Sequence, residues 1–355
     1  MRWTLLLGAA WYLAAQPADY DRARQLLSSG HLREAVSLYR DLARAHPNDP
    51  GTLLNLSIAE YKAGDFGDAA ASAAAALKLD PDLVPAHLFR GASYLELGEF
   101  AAAVEPLRRA TSANPAERNG RLMLGEALLG AGQPEAALEQ LQSAAGMLPA
   151  NPRVWYGLGR AYQALGRVKD EEEAWGRLEA LPPSLESHLH AADVETRQQR
   201  WLPATAQWRQ ALDMAPQNRS IRLGLAWSLF RSRDYDGTMA ALKPVLSGPD
   251  ANVQFLWGAS LLNLQQPAES IPFLKAALSA DSALLSARAA LGQALLQTGK
   301  TGEAIAFLKD ALPLDQDGSI HFQLFRAYQL TGHKAEAEQT LAGYQRLRAS
   351  LPTAP

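Results

Sequence analysis

A spacing of 34 residues runs through the chain and constrains its fold more than any other feature. Proline recurs at this spacing from residue 47 to residue 183, and again 33 residues later at residue 216. Periods of this length are typical of arrays in which one supersecondary unit repeats and buries its apolar face only against its neighbours. We therefore divide the chain into ten units, which start at residues 16, 50, 84, 118, 152, 185, 219, 251, 285 and 318.

Small side chains return at two fixed positions of the unit. The eighth residue is small in nine of the ten units, and so is the twentieth, where Glu171 is the exception. Two helices that cross closely need small residues where their axes approach, because a larger side chain would strain the contact by about 1–3 kcal/mol. Glycine at position fifteen of seven units can end a first helix in the left-handed conformation. Each unit is therefore predicted to be an antiparallel helical hairpin.

These positions resemble the landmarks of the tetratricopeptide repeat, a family of 34-residue helical hairpins. In the fifth unit, Trp155, Leu158, Gly159 and Tyr162 stand where the family has its characteristic residues. The similarity extends over about residues 16–349. It implies an all-α fold, a right-handed superhelical solenoid of about ten antiparallel helical hairpins.

The first residues have the layout of a secretory signal peptide. Arg2 supplies a positive start, an apolar stretch runs from Trp3 to Leu13, and Ala14 and Ala15 are small residues before a polar segment. The apolar stretch is shorter than the roughly 20 residues that a transmembrane helix needs. We therefore expect residues 1–15 to be removed near Ala15, and the mature protein to be periplasmic or secreted. The alternative is a buried first helix of a cytoplasmic protein.

The repeat pattern is weakest in the middle of the chain. Glu171 lies in an acidic run where a small residue is expected, and residues 186–200 of the next unit are unusually polar for a helix that buries one face. Either the helix rotates and keeps its charges in solvent, or the segment 168–200 is a hinge between two arms. The arms would be residues 16–183, with units one to five, and residues 185–349, with units six to ten.

The residues offer little chemistry for catalysis. The chain has no cysteine, and its seven histidines lack metal-ligand spacing, since His188 and His190 are two apart and do not share a helix face. No nucleophile elbow, phosphate loop or zinc-protease motif is present. A net charge of −3 gives no basic field for nucleic acid. We therefore predict a protein that is not an enzyme, binds no metal or cofactor and does not take nucleic acid as its partner.

The resemblance implies a concave groove lined by the first helices, with positions two, five, six and nine of each unit facing it. The lining predicted in this way is apolar and aromatic with sparse charge, and aromatic and arginine side chains are frequent hot spots in protein interfaces. We expect it to bind a protein or peptide segment. The candidate partner-binding residues are Leu54, Asn55, Ile58, Phe89, Met123, Tyr156, Arg160, Trp227, Phe255, Phe322 and Arg326.

The sequence leaves the function open among three classes. The first is a protein-interaction scaffold or adaptor in an envelope assembly. The second is a carbohydrate-binding or polysaccharide-export helper, because aromatic rings also stack on sugars. The third is a structural homo-oligomer that self-associates through the exposed C-terminal hairpin. The Lys and Asn pairs with which chaperone-binding members of the family hold a peptide carboxylate are missing here, so that use of the groove is not expected.

Overall fold

The computed structural model describes residues 17–350, and this part of the chain forms twenty α-helices. The predicted signal peptide, residues 1–15, lies outside the described residues. The helices are α1 Pro17–Ser28, α2 Leu32–Ala45, α3 Pro50–Ala63, α4 Phe66–Leu79, α5 Val84–Glu96, α6 Phe100–Ala113, α7 Arg118–Gly130, α8 Pro134–Met147, α9 Pro152–Ala164, α10 Val168–Glu179, α11 Leu185–Arg197, α12 Trp201–Met214, α13 Arg219–Arg231, α14 Tyr235–Leu242, α15 Ala251–Asn263, α16 Pro267–Ala280, α17 Leu285–Gln297, α18 Thr301–Ala311, α19 Ser319–Leu330 and α20 Lys334–Ser350.

The helices pair as ten consecutive hairpins, from α1 with α2 to α19 with α20, which confirms the predicted all-α array. A residue with positive φ stands in the turn of each hairpin. In seven hairpins it is the glycine predicted at position fifteen, with φ between 66° and 81° or, at Gly64, 84°. In three successive hairpins, the left-handed residue is instead Gln199, Arg233 or Gln265, with φ of 57°, 66° and 63°.

Close packing inside each hairpin depends on the small residues. A Cβ atom added to Gly125 would lie 2.6 Å from Cγ of Leu141, and one added to Gly292 would lie 2.7 Å from Cγ of Leu308. Separations this short are not tolerated between carbon atoms, so glycine allows the leucine of the second helix to approach the first helix. The alanines at position twenty are fully buried on the other side of the same contact: Ala35, Ala69, Ala103, Ala137, Ala204 and Ala304.

The exception at position twenty is accommodated by hydrogen bonds. Glu171 is half-buried, and its Oε1 accepts hydrogen bonds from Nε1 of Trp175 at 3.1 Å and Nε2 of Gln163 at 3.3 Å. Trp175 in turn covers Gly159. The carboxylate is therefore satisfied by neighbouring donors instead of being buried without a partner. The other glutamates of the acidic run, at positions 172 and 173, are exposed.

The chain divides into two compact units between Ser184 and Leu185. In the first unit, α2, α4, α6 and α8 each pack on the first helix that follows, and α3, α5, α7 and α9 also contact one another in turn. In the second unit, α13, α15, α17 and α19 do the same. Within a unit the first helices therefore form the inner face, as in other stacked helical repeats. No observation tests the predicted hinge at 168–200, which stays a prediction.

The apolar cores of the two units differ. One continuous cluster of buried residues extends from Ala226 to Ala337 in the second unit. The first unit contains three separate clusters, with buried residues in the ranges 23–59, 76–86 and 103–174. Glu60 directly follows Ala59 of the first cluster in the sequence and is only 2% exposed. Its carboxylate accepts hydrogen bonds from Arg40, at 2.9 and 3.2 Å, and from the Ser72 hydroxyl at 2.7 Å.

A recurrent side-chain hydrogen bond ties the loop between hairpins to the following first helix. The residue at position four of the unit donates to the backbone carbonyl six residues earlier, which satisfies an acceptor that the loop leaves unpaired. The bonds join His87 to Pro81 (2.8 Å), Arg121 to Pro115 (3.0 Å), Trp155 to Pro149 (2.8 Å), Arg222 to Pro216 (2.5 Å), Gln254 to Gly248 (3.1 Å) and Arg288 to Ser282 (2.7 Å).

Candidate functional site

An aromatic pair begins the inner face of the first unit. Tyr61 on α3 packs edge-on against Phe89 on α5, with ring centroids 5.7 Å apart. The Tyr61 hydroxyl donates a hydrogen bond to Oε1 of Glu96 at 3.3 Å. Burial, together with the Glu96 carboxylate, raises the pKa of Tyr61 to about 12. The phenol therefore keeps its proton at neutral pH and remains a hydrogen-bond donor on this face.

An ion pair continues the inner face across the next two hairpins. Arg153 on α9 donates two hydrogen bonds to Glu126 on α7, Nε to Oε1 at 2.9 Å and Nη2 to Oε2 at 2.6 Å. Bidentate pairs of this kind fix the orientation of both side chains. Together with Tyr61 on α3 and Glu96 on α5, Glu126 and Arg153 place polar groups on four successive first helices. The inner face of the first unit is therefore more polar than the sparse charge expected from the sequence.

The predicted groove residues of the first unit differ in how much of their surface is free. Phe89, Asn55 and Ile58 are half-buried on the first helices. Leu54 packs against the cluster that contains Leu77, and Met123 packs against the largest cluster of the unit. The packing of Leu54 and Met123 between hairpins leaves less of each side chain for a ligand.

Tyr156 and Arg160 form a pair near the end of the first unit. The Tyr156 ring lies 5.8 Å from the ring of Trp175, and its hydroxyl accepts a long hydrogen bond, 3.4 Å, from Arg160. Arg160 is exposed. The pair presents an aromatic edge and a cation side by side, a combination that suits the carboxylate or carbonyl groups of a peptide.

The inner face of the second unit is built around Phe230. Trp227 stacks on this ring with centroids 6.3 Å apart, and the Phe255 ring lies 6.4 Å from it. Trp227 is 38% exposed, whereas Phe255 is only 8% exposed and belongs to the continuous core. Of the candidates in this region, Trp227 offers the larger accessible ring.

The last two candidates lie on α19. Phe322 is 43% exposed and contacts the rings of Phe325 and Tyr344, at 6.1 and 5.6 Å between centroids. Arg326 is exposed one turn further along the helix. The two side chains share the outer end of the second unit's inner face and lie apart from the Phe230 cluster in the sequence and in their contacts.

Sequence reasoning missed Tyr61, Glu96 and Phe230. Tyr61 and Phe230 both stand at position twelve of their repeats. Glu96 stands at position thirteen, one helical turn beyond position nine, the last position expected to face the groove. The sequence signal for Tyr61 and Phe230 is a second aromatic residue at position seventeen of the same repeat. In the structure Tyr61 packs edge-on against Phe66, and Phe230 packs edge-on against Tyr235.

Between residues 17 and 350, no three side chains of His, Cys, Asp or Glu are grouped so that they could hold a metal ion. No helix in this range is both long enough and apolar enough to cross a lipid bilayer.

The tetratricopeptide repeat model matches residues 20–83, 54–118, 122–184 and 189–243, and a second model of the same repeat matches residues 261–323. The chain belongs to the tetratricopeptide repeat family. Members of the family bind protein partners and are generally non-catalytic. Family membership therefore describes the chain as a protein-interaction scaffold.

Among solved structures, MamA from Desulfovibrio magneticus RS-1 is 26% identical, with 46% of this chain and 90% of that chain covered and a TM-score of 0.42. MamA from AMB-1 is 25% identical, with 46% and 97% covered and a TM-score of 0.43. The comparison with curated proteins gave no match.

Proposed function

We propose that this protein is a non-catalytic scaffold in a bacterial envelope assembly and that it binds extended or helical segments of a partner protein along its inner face. The observation that carries the proposal is the row of side chains on α3, α5, α7 and α9, in which aromatic rings alternate with hydrogen-bonding groups. Membership of a repeat family that binds proteins supports it. The signal-like residues 1–15 support the location.

The inner face of the first unit offers complementary groups for a peptide. Phe89 and Tyr156 provide apolar surface for side chains, and Arg160 provides a cation for a carbonyl or carboxylate group. Glu96 and Glu126 can accept hydrogen bonds from the backbone N–H groups of an extended chain. These groups bind and orient a segment, and the proposal gives none of them a role in breaking a bond.

Substitution of Phe89 by alanine tests the groove. Proteins that co-purify with the full chain from the envelope fraction of its source would be identified, and the main partner would then be titrated against purified variants. Phe89→Ala should lower the affinity for that partner by about 30-fold, as expected for an aromatic hot spot of about 2 kcal/mol. Leu202→Ala is the control, because Leu202 is 73% exposed on a second helix. Equal affinities for both variants would contradict the proposed surface.

The proposed location has its own test. N-terminal sequencing of the protein recovered from its source should give a mature chain that begins near Gln16. A product that retains Trp3 and is found in the cytoplasm would contradict export but would leave the binding surface untouched.

Trp227 favours a second candidate function, the binding of carbohydrate. Its ring is 38% exposed and is supported from behind by Phe230, an arrangement that could stack on a sugar. Purified protein would be applied to a glycan array and, in parallel, to the peptide partner. Loss of glycan binding in Trp227→Ala with unchanged peptide binding would favour this function over the scaffold.

The exposed end of the last hairpin favours a third candidate, self-association. Leu330 is 67% exposed and Phe322 is 43% exposed in α19. Sedimentation of the full chain and of Leu330→Glu would decide this: a concentration-dependent dimer that the substitution dissociates supports it, and a monomer at all concentrations excludes it.

A further inference from the structure

A cleft of about 540 Å³ lies between the second helices α4 and α6 of the first unit. We call it the α4–α6 cleft. The inner face described above is formed by first helices, so the cleft is a separate surface. Side chains of α5, His87, Arg90 and Tyr94, contribute to its lining. The other lining residues are Ala74, Leu77, Lys78, Pro81, Ala102, Glu105, Pro106 and Arg109.

His87 brings an unpaired acceptor to the cleft. The residue is only 8% exposed, and its Nε2 is 2.8 Å from the carbonyl oxygen of Pro81. A carbonyl only accepts, so Nε2 carries the hydrogen and Nδ1 of the neutral ring is an acceptor. Within the described residues, Nδ1 has no hydrogen-bond partner. Buried polar atoms are normally paired, so this atom indicates a donor that the protein itself does not supply.

Arg90 brings an unpaired donor and a positive charge. Its Nε is buried and has no hydrogen-bond partner among residues 17–350, while the guanidinium lies over the ring of Tyr94 at 5.7 Å. Lys78 makes no ion pair in the described part of the chain, whereas Arg109 is paired with Glu105 at 3.0 Å. The cleft therefore offers two free cations and, beside them, one hydrogen-bond acceptor.

The neighbouring hairpin shows what this repeat position needs in order to hold the loop. Arg121 in hairpin 4 corresponds to His87. Its Nε donates to the carbonyl of Pro115 and its Nη1 to Oε1 of Gln140 at 3.2 Å, and the equivalent cleft is smaller, about 380 Å³. The repeat requires only one donor at this position to hold the loop, and Nε2 of His87 fulfils that requirement. The larger space and the free Nδ1 are not explained by the loop.

We propose that the α4–α6 cleft is a second binding site and takes a carboxylate-bearing peptide. The carboxylate contacts Lys78 and Arg90, and a backbone N–H of the peptide donates to Nδ1 of His87. An adjoining apolar side chain packs against Leu77 and Pro106. A peptide satisfies all of these groups because it carries a carboxylate and an N–H donor close together. The carboxylate belongs either to an acidic side chain or to a chain terminus.

Fluorescence anisotropy with the full chain tests this site. The probes are three fluorescein-labelled peptides of sequence Ser-Gly-Leu-Glu-Leu-Gly or Ser-Gly-Leu-Gln-Leu-Gly: the Glu peptide as an amide, the Gln peptide as an amide, and the Gln peptide as a free acid. At least one carboxylate-bearing peptide should bind about tenfold more tightly than the Gln amide. Tight binding of the Glu amide identifies the side chain as the source, and tight binding of the free acid identifies the terminus.

His87→Arg is the decisive variant. Arginine at this repeat position keeps the loop bond, as Arg121 does, and fills the cleft, so the melting temperature should be unchanged and the affinity should fall about tenfold. Binding by unspecific attraction to positive charge would instead become stronger. Arg90→Gln should also lose about tenfold, and it covers the case in which His87→Arg misfolds.

Phe89→Ala separates this site from the inner face and should leave the affinity of the peptides unchanged. The proposal is overturned if the three peptides bind equally or if folded His87→Arg binds as well as the original protein. It is also overturned if Phe89→Ala weakens binding as much as Arg90→Gln does, because the peptide would then lie on the inner face.

Discussion

Tyr61 in hairpin 2 and Phe230 in hairpin 7 occupy the same repeat position, and each contacts an aromatic ring of the next hairpin. Tyr61 also donates a hydrogen bond to Glu96, and its neighbour Phe89 is half-buried. Phe230 makes only apolar contacts of this kind, and its neighbour Phe255 is buried. The rings stand at the same repeat position, and the Tyr61 hydroxyl adds a hydrogen bond to a carboxylate that Phe230 has no group to make.

The same contrast appears in the cores of the two units. In the first, the apolar clusters are separate, and the buried Glu60 carboxylate accepts hydrogen bonds from Arg40 and Ser72. In the second, apolar residues are continuous from Ala226 to Ala337. A polar junction depends on every partner being present, whereas an apolar one distributes its contribution over many contacts. We expect the two units to respond differently to substitution.

The largest expected effect comes from cavities in the cores. Leu291→Ala removes a fully buried side chain of the continuous cluster and should cost about 2–5 kcal/mol. Hydrogen exchange should then accelerate throughout the hairpins that share this cluster. Leu42→Ala in the first small cluster should accelerate exchange only in hairpins 1 and 2. Faster exchange at residues 103–174 in Leu42→Ala would show that the clusters of the first unit do not unfold independently.

Loss of Arg40 comes next. Arg40→Ala leaves the Glu60 carboxylate buried without its guanidinium partner and should cost about 2 kcal/mol. This is less than for a fully buried pair, because the Arg40 side chain is 41% exposed and partly screened. The double variant Arg40→Leu, Glu60→Leu should recover most of the stability, because no charge is then buried without a partner. Urea unfolding measures both, with Arg109→Ala, from an exposed pair, as the control.

A matching pH dependence should be smaller. Burial raises the pKa of Glu60, although Ser72 and Arg40 favour its charged form. Protonation therefore favours the folded state: this contribution is complete below the ordinary pKa of 4.5 and is lost as the pH rises through the raised value. The original protein should gain stability relative to Glu60→Gln as the pH falls from 7 towards 4.5. Parallel stability curves for the two proteins would contradict this.

The smallest effect concerns the turns. Gln265 is left-handed without being glycine, which costs a residue with a Cβ atom about 1–2 kcal/mol. Glycine removes that strain but is more flexible when unfolded. Gln265→Gly should therefore stabilise the second unit by about 0.5 kcal/mol, and Gly132→Ala should destabilise the first by about 1 kcal/mol. Thermal unfolding of both variants checks the signs, and a loss of stability in Gln265→Gly would contradict the strain.

The period predicted the hairpins because it reports a steric requirement inside each repeat. Gly125 against Leu141 is such a case, and both positions could be read from the sequence. The fate of Glu171 could not be predicted, because its donors Trp175 and Gln163 become neighbours only in the folded hairpin. The period shows where a small residue is needed. It does not show which groups would form hydrogen bonds with a larger polar residue at that position.

The candidate sites were only partly predictable for the same reason. Offsets carried over from the family found Phe89 and Trp227, which lie on first helices as expected. They also included Phe255, which the ring of Phe230 helps to bury. The α4–α6 cleft could not be predicted, because its lining comes from three helices in two successive hairpins. The free Nδ1 of His87 depends on which nitrogen the loop carbonyl takes.

The three non-glycine residues with left-handed backbone also offer positions from which movement within the second unit can be measured. Gln199, Arg233 and Gln265 stand at the same point of successive hairpins, and all three are exposed. The chain contains no cysteine. Cysteines introduced at two of these turns would therefore provide the only two thiols to which a pair of dyes could be attached. The energy transfer between such dyes would report directly how far neighbouring hairpins separate when a ligand is captured.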